Sequence, residues 1–103
     1  MNVVNLVKDA DKYLGKEVTV TGVLDRPRKR HSSYLFFNIE DNDKGIQVVV
    51  KQDILGKELF KEITFGLCHK DTVTVTGHFD QRNSNRDDFY KYEIIASHIA
   101  KIS

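Results

Sequence analysis

The chain has 103 residues, of which 40% are hydrophobic and 30% charged, and its formal net charge is +1 at pH 7. These values predict one domain, residues 1–103, with a modest core, and they exclude a protein that coats nucleic acid through its overall charge. No apolar run approaches the roughly 18 residues of a membrane span, charges appear too early for a signal peptide, and the single Cys68 forbids an internal disulfide. We therefore expect a cytoplasmic protein with no membrane partner.

Apolar residues at helical spacing predict an N-terminal helix over 3–14, with Asn2 as its N-cap and Gly15 as its stop. The next segment, EVTVTGVL (17–24), alternates between apolar and polar residues and is rich in β-branched side chains, which is typical of a strand. The segment RPRKRHSS (26–33) is polar and basic and contains the only proline. It is predicted to be a loop.

A hairpin is predicted in the middle of the chain. Its strands are YLFFNIED (34–41) and IQVVVK (46–51), which have the alternation and the β-branched and aromatic content of half-buried strands. The tetrapeptide NDKG (42–45) between them predicts a tight turn, with Gly45 at a position that often needs positive φ.

The remaining segments predict a second helix and two more strands. The segment DILGKELFKEITFG (53–66) has helical spacing, with Asp53 as its N-cap. DTVTVTGHF (71–79) is predicted to be the fourth strand and FYKYEIIASHIAKI (89–102) the fifth. The polar segment DQRNSNRDD (80–88) between them is predicted to be a long loop.

Five short strands, with one helix before them and another between the third and fourth, follow the order of an OB-fold. This is an all-β Greek-key barrel with one or two short helices, in which strand one meets strand four. The segment VTVTG occurs in both of those strands, at 18–22 and 73–77. We interpret the repeat as two similar strands whose glycines, Gly22 and Gly77, allow bends. A duplicated binding site is the less favoured interpretation.

Strand alternation places Phe36 among polar residues on the outer face, and Gln47 lies on the same face across the hairpin. An exposed aromatic ring can stack on a nucleic-acid base, and an amide can both donate to and accept from a base edge. The neighbouring basic segment can hold phosphates. Alternation alone leaves two interpretations open: Phe36 is a base-binding platform, or the N-terminal helix or a loop covers it.

Signals for catalysis are missing from the sequence. There is no glycine-rich phosphate loop and no dinucleotide fingerprint, and the four histidines and one cysteine do not have metal-ligand spacing. The acidic residues are dispersed over predicted turns and helix surfaces. We therefore expect no catalytic residue, no metal site and no cofactor.

Several segments in the right order resemble one known family. GKEVTVTGVLDRPR (15–28), YLFFNIED (34–41), GIQVVV (45–50) and YEIIAS (92–97) are similar to the N-terminal anticodon-binding domain of class II aminoacyl-tRNA synthetases. The aspartyl type is most similar, and the asparaginyl and lysyl types are relatives. The resemblance covers almost the whole chain and implies an OB-fold.

The resemblance also implies roles for individual residues. Enzymes of these types read tRNAs whose central anticodon base is uracil. The resemblance implies that Phe36 stacks on this base, that Gln47 hydrogen-bonds to it, and that Glu93 contacts the first anticodon base. Phosphate and neighbouring-nucleotide contacts are expected from Arg26, Arg28, Lys29, Arg30, Arg82, Asn83 and Asn85. One departure is Glu40–Asp41, where the family often has an Arg–Asp pair.

The sequence therefore predicts a non-catalytic module that binds single-stranded RNA, with a tRNA anticodon loop as the favoured ligand. The catalytic domain that follows in the family is absent after Ser103, so a missing catalytic domain or a protein partner is expected. One alternative is a general binder of single-stranded DNA or RNA. The other is a protein-interaction OB-fold that binds no nucleic acid, which the low net charge favours.

Overall fold

The computed structural model describes residues 1–30, 33–82 and 91–102, with the side chains of 26–30 left out of the description. Within this part of the chain, five strands form a closed barrel in the order β1-β2-β3-β5-β4. The strands are β1 Glu17–Arg30, β2 Tyr34–Asp41, β3 Lys44–Lys51, β4 Thr72–Gln81 and β5 Tyr92–Lys101. The helices are α1 Val3–Lys8, α2 Ala10–Tyr13, α3 Gln52–Leu55 and α4 Lys57–Gly66. None of these helices is both long and apolar enough to cross a membrane.

The predicted all-β OB barrel is confirmed by the strand pairing. Four of the five pairings are antiparallel, and β3 runs parallel to β5, which closes the barrel. Strand β1 pairs with both β2 and β4, as the Greek-key order requires. The helices at α3 and α4 stand between β3 and β4, where a helix was predicted.

The core fills the barrel and extends to α1. Inward residues alternate along each strand, and Val18, Val20, Val73 and Val75 of the two VTVTG segments are all buried. Apolar residues of α1 join the same core: Val3 and Leu6 are fully buried. The other fully buried large side chains are Leu24, Leu35, Phe37, Ile39, Ile46, Val48, Val50, Phe79 and Ile94.

The prediction of a loop at 26–33 is wrong for most of the segment, because β1 continues to Arg30. The backbone of Lys29 pairs with that of Phe36 in β2. Two register shifts, between Asp25 and Pro27 and between Pro27 and Lys29, interrupt this ladder. Such bulges tolerate a proline, which has no N–H to give to a ladder, so Pro27 does not end the strand.

Both predicted helices are divided in the structure. The N-terminal helix is interrupted at Asp9, which has φ −106° and ψ 29°. The second begins at Gln52 rather than at Asp53 and is split at Gly56, whose φ of 92° favours glycine. In the β2–β3 turn the positive φ falls on Asn42, at 56°, and not on Gly45. Asparagine tolerates this left-handed conformation better than most residues.

The last two strands also differ from their predicted bounds. Strand β4 extends to Gln81, two residues beyond the prediction, so it includes the start of the predicted loop. Strand β5 begins at Tyr92, so Lys91 is not part of it, and the predicted start at 89 lies outside the described residues. The rest of the predicted loop, from 83 onward, lies outside the described residues.

Candidate nucleic-acid interface

The strand register assembles one polar line of side chains on the outer face of the barrel, the side opposite the core. Starting in β1, each residue of this line is the Cα partner of the next, across all five strands. Register partners project to the same side of a sheet, and the residues preceding or following them point into the core. We call this line the polar row; it consists of Asp25, Asn38, Gln47, Glu93 and Asp80.

The polar row places two of the predicted site residues side by side. Gln47 in β3 and Glu93 in β5 are direct partners in the parallel ladder. Both side chains are half-buried, so neither is sealed from solvent. An amide that donates and accepts and a carboxylate that only accepts therefore lie next to each other on the outer face.

A second line, the apolar row, runs beside the polar row and is offset from it by two residues along each strand. It consists of Phe36 in β2, Val49 in β3 and Ile95 in β5, which are successive Cα partners. Val49 is only 6% exposed although it lies on the outer face, so neighbouring side chains close over it. Phe36 and Ile95 are half-buried. The predicted platform residue Phe36 thus lies on an apolar strip adjacent to Gln47 and Glu93.

The aromatic surface extends beyond Phe36. Tyr34 lies two residues earlier in β2, on the same face, and is 40% exposed. Its ring centroid is 6.2 Å from that of Phe36, and the two ring planes are inclined by only 16°. Strand alternation places Tyr34 on the outer face with Phe36, and no role was predicted for Tyr34. The i, i+2 spacing of two aromatic residues in one strand is the signal that could have identified the pair.

Asn38 is the unexpected member of the polar row. Alternation predicts it on the outer face, but its side chain is only 2% exposed. Its Oδ1 atom is buried and has no hydrogen-bond partner among the residues that the structure describes. A buried acceptor without a partner forfeits its hydration, which costs about 1–3 kcal/mol. The centre of the outer face therefore contains an unsatisfied acceptor between Asp25 and Gln47.

Carboxylates occupy both ends of the polar row. The Asp25 carboxylate in β1 lies 3.7 Å from Nδ1 of His69, and the Asp80 carboxylate in β4 lies 3.6 Å from Nε2 of His78. With Glu93 between them, the row presents acceptors and negative charge. Such a line repels phosphate groups and suits the N–H donors on base edges.

The basic residues of β1 reach the same region through the backbone. Lys29 is the Cα partner of Phe36, and Arg30 is the partner of Leu35. Arg26 and Arg28 each stand next to Pro27, at the two register shifts. The phosphate contacts of these four residues stay predictions, because their side chains lie outside the described part of the structure.

The predicted contacts from the fourth loop are only partly described. Arg82 follows β4 directly, and its backbone N–H donates to the carbonyl oxygen of Lys91 at 2.9 Å. This bond extends the β4–β5 hairpin two register positions past the Asp80–Glu93 pair, so Arg82 lies near the Asp80 end of the polar row. Asn83 and Asn85 lie outside the described residues.

A closed five-stranded OB barrel with an aromatic pair, amides and carboxylates on one face has the architecture of an oligonucleotide-binding module. The sequence profile of the tRNA anticodon family, described as an OB-fold nucleic acid binding domain, matches residues 18–102. The chain belongs to this family. Its resemblance to the anticodon-binding domains of synthetases is therefore confirmed. A search of curated protein sequences found no match.

Solved structures with the same fold include two synthetases. A chain assigned as an aspartyl-tRNA synthetase from Leishmania major superposes with a TM-score of 0.82 at 14% identity, over 98% of this chain and 20% of that one. Asparaginyl-tRNA synthetase from Pyrococcus horikoshii superposes with a TM-score of 0.73 at 22% identity, over 88% of this chain and 20% of that one. This chain therefore spans about a fifth of the length of either synthetase.

A third similar structure is a small binding protein. The OBody AM3L09, in its complex with hen egg-white lysozyme, superposes with a TM-score of 0.72 at 22% identity, over 88% of this chain and 85% of that one. At identities this low, the three likenesses establish the fold alone.

Proposed function

We propose that the chain is a non-catalytic module that binds single-stranded RNA across the outer face, with a tRNA anticodon loop whose central base is uracil as its ligand. One observation carries the proposal: Gln47 and Glu93 are direct neighbours in the polar row, and Phe36 lies in the adjacent apolar row on the same face. Membership of the family of OB-fold nucleic acid binding domains supports it.

The chemistry of these three side chains suits a splayed-out base. Stacking on an aromatic ring contributes about 1–3 kcal/mol per base, so Phe36 supplies affinity. The edge of uracil has one N–H donor between two carbonyl acceptors, and the Gln47 amide can both accept from and donate to such an edge. The Glu93 carboxylate accepts only, so it selects a neighbouring base that presents a donor.

The phosphates are expected on the basic side of the face. The acidic polar row disfavours phosphate, whereas the β1 segment Arg26, Arg28, Lys29 and Arg30 is cationic. Arg82, Asn83 and Asn85 are proposed to contact the nucleotides that flank the central base. Because few cations take part, the affinity of the chain alone should be modest and should fall with added salt.

Anticodon stem-loops that differ only at the central base test the proposal. We expect the uracil loop to bind most tightly in a fluorescence-anisotropy titration, and Phe36→Ala to weaken it about tenfold or more. Phe65→Ala is the matched control, because Phe65 is an exposed aromatic residue on α4. Equal affinity for all four central bases would contradict anticodon recognition.

A general binder of single-stranded DNA or RNA is the second candidate, and the Tyr34–Phe36 pair favours it. Every base has a π-face, so a surface that binds mainly by stacking tolerates any sequence. DNA oligonucleotides in the same titration distinguish the two. Equal affinity for DNA and RNA of mixed sequence, lost in Phe36→Ala, would support this candidate. Absence of binding to every oligonucleotide would instead favour a protein-interaction module.

The synthetase likeness also bears on partners. Because this chain spans about a fifth of either synthetase, we propose that a catalytic domain or a separate protein partner acts together with it on tRNA. Pull-down of the native protein with tRNA, followed by identification of the accompanying chains, would test this. Recovery of tRNA without any other protein would argue against it.

A further inference from the structure

The β2–β3 hairpin carries a second aromatic residue beside a cation at its open end. Tyr34 in β2 is the direct antiparallel partner of Lys51 in β3, so the two side chains project to the same side of the sheet. The ladder continues one step further, since the N–H of Gln52 donates to the carbonyl oxygen of Ser33 at 3.0 Å. The Tyr34–Lys51 pair is therefore held between hydrogen-bonded neighbours and is not at a frayed end.

The distance between the rings of Tyr34 and Phe36 is close to the spacing of their positions along the strand, so the two rings have not closed into tight contact with each other. Residues two apart in a strand are about 6.6 Å apart, and the ring centroids are 6.2 Å apart. The planes are inclined by only 16°, so the rings are nearly parallel. A planar ring has two faces, and a parallel neighbour covers at most one. Tyr34 is also 40% exposed, which leaves ring surface available to a ligand.

Lys51 gives this end of the outer face the opposite charge from the polar row. The polar row holds three carboxylates. Lys51 lies four residues after Gln47 in β3, on the same side of the strand. None of the carboxylates in the described part of the chain forms an ion pair with Lys51. An ammonium group beside an exposed aromatic ring can hold the phosphate of a nucleotide whose base stacks on that ring.

We infer that Tyr34 and Lys51 form a further nucleotide subsite, in which Tyr34 stacks on the base next to the one on Phe36 and Lys51 binds its phosphate. The inference rests on the function proposed above, because it extends the same RNA strand along β2. The outer face would then hold two successive bases on two successive rings, and the acidic polar row would favour the phosphate of the Tyr34-bound nucleotide lying toward Lys51.

A variant series on the whole chain tests the subsite. We expect Tyr34→Ala to weaken binding of the uracil stem-loop about tenfold, and Tyr34→Phe to retain nearly full affinity, because stacking does not need the hydroxyl. Two further stem-loops should be compared, each lacking the base on one side of the central uracil. With only one of these two RNAs should the wild-type chain and Tyr34→Ala bind with equal affinity. Phe65→Ala again controls for loss of an exposed aromatic residue.

Two further readouts are independent of overall affinity. The chain contains no tryptophan, so Tyr34→Trp introduces one reporter at the subsite, and we expect RNA to quench its fluorescence. Lys51→Gln should make the negative slope of log K against log salt less steep by about 0.7, because one phosphate contact with a single strand is lost.

The outcomes separate the subsite from the proposed function. If Phe36→Ala weakens binding but Tyr34→Ala does not, and the Tyr34→Trp fluorescence is unchanged by RNA, the subsite is wrong and the proposed function stands. If the wild-type chain binds no RNA, both fall together. If the slope of log K against log salt is the same for Lys51→Gln as for the wild-type chain, Lys51 does not bind the phosphate, and the subsite as stated is wrong.

Discussion

Val20 and Val75, the central residues of the two VTVTG segments, are direct partners in the antiparallel β1–β4 ladder. On the opposite side of the sheet the flanking threonines also pair. The hydroxyl oxygens of Thr19 and Thr76 are 3.0 Å apart, and those of Thr21 and Thr74 are also 3.0 Å apart. Because the two copies run antiparallel, the central valines face each other in the core and the threonines face each other outside, while Gly77 and Gly22 face Val18 and Val73. The repeat is explained by this pairing.

The glycines that end the two copies should differ in their tolerance of a side chain. A Cβ on Gly77 would lie 2.8 Å from the Cα of Ala96 in β5, and would also clash with the carbonyl of Ile95. Because those atoms are backbone, the β4–β5 ladder itself would have to open. We expect Gly77→Ala to lower the free energy of unfolding by about 3 kcal/mol or more, measured by urea denaturation.

Gly22→Ala is the matched comparison. There a Cβ would lie 3.0 Å from Cγ2 of Val3 and 3.1 Å from Cβ of Ile39, which are side-chain atoms, and 3.3 Å from the backbone carbonyl oxygen of Glu40. A small shift of α1 can relieve the first of these contacts, so the cost should be only about 1–2 kcal/mol. Equal losses for the two variants would show that the close β4–β5 approach is not what requires Gly77.

The barrel could be predicted because its signals are local. Alternation over 34–41 and 46–51, with a short turn between, identifies a hairpin and the faces of its residues. The basic segment at 26–30 was misassigned for the same reason. Its composition is typical of a loop, but pairing of Lys29 with Phe36 is a tertiary contact, and the bulges that accommodate Pro27 leave no mark in the composition.

The candidate site was predictable only where it depends on one hairpin. Phe36 and Gln47 share a face by alternation in neighbouring strands. That Glu93 lies beside Gln47 follows from the parallel β3–β5 pairing, which joins segments more than forty residues apart. Alternation cannot supply such a pairing; the family resemblance named Glu93 as a site residue without placing it beside Gln47. Nor could it show that Asn38 is buried, because burial on an outer face depends on the neighbouring side chains.

The unsatisfied Oδ1 of Asn38 predicts that this residue is not optimal for stability. Replacing a buried acceptor that has no partner with an apolar group removes its desolvation cost, and valine also suits a strand. We expect Asn38→Val to raise the free energy of unfolding by about 1 kcal/mol, and the melting temperature by about 4–8 °C. Circular dichroism during heating measures both.

Asn38→Asp is the opposing control, because it puts an ionised group in the same buried place and should destabilise the fold. If Asn38→Val is less stable than the wild-type chain, then the amide makes a favourable interaction that the geometry does not reveal.

Asp71 should make stability depend on pH in the acidic range. Its Oδ2 accepts a hydrogen bond from the backbone N–H of Cys68 at 2.7 Å and lies 3.3 Å from Nζ of Lys101. The Cys68 hydrogen bond has the largest effect and, together with the Lys101 ammonium, holds the pKa of Asp71 below its ordinary value, although burial of the carboxylate acts in the opposite direction.

A depressed folded-state pKa stabilises the fold above the unfolded value of about 3.9, and this stabilisation is lost as the pH falls through the folded-state pKa. We therefore expect Asp71→Asn to be less stable than the wild-type chain at pH 7 and the gap to close below about pH 4. Asp43→Asn, in the exposed turn after β2, is the matched neutralising control. A gap that stays constant down to pH 2 would assign the effect of Asp71→Asn to altered turn geometry.

The Gln47–Glu93 pairing can be tested through charge and base preference together. Gln47→Glu would place two carboxylates side by side in the parallel ladder, and like charges at this separation should cost about 0.2–1 kcal/mol at pH 7. The double variant Gln47→Glu/Glu93→Gln restores one amide and one carboxylate, so it should recover the stability. It should not recover the preference for uracil, because the acceptor-only group would then face the central base. Urea denaturation and the four-base titration measure the two effects, and additive losses of stability in the double variant would show that the side chains do not interact.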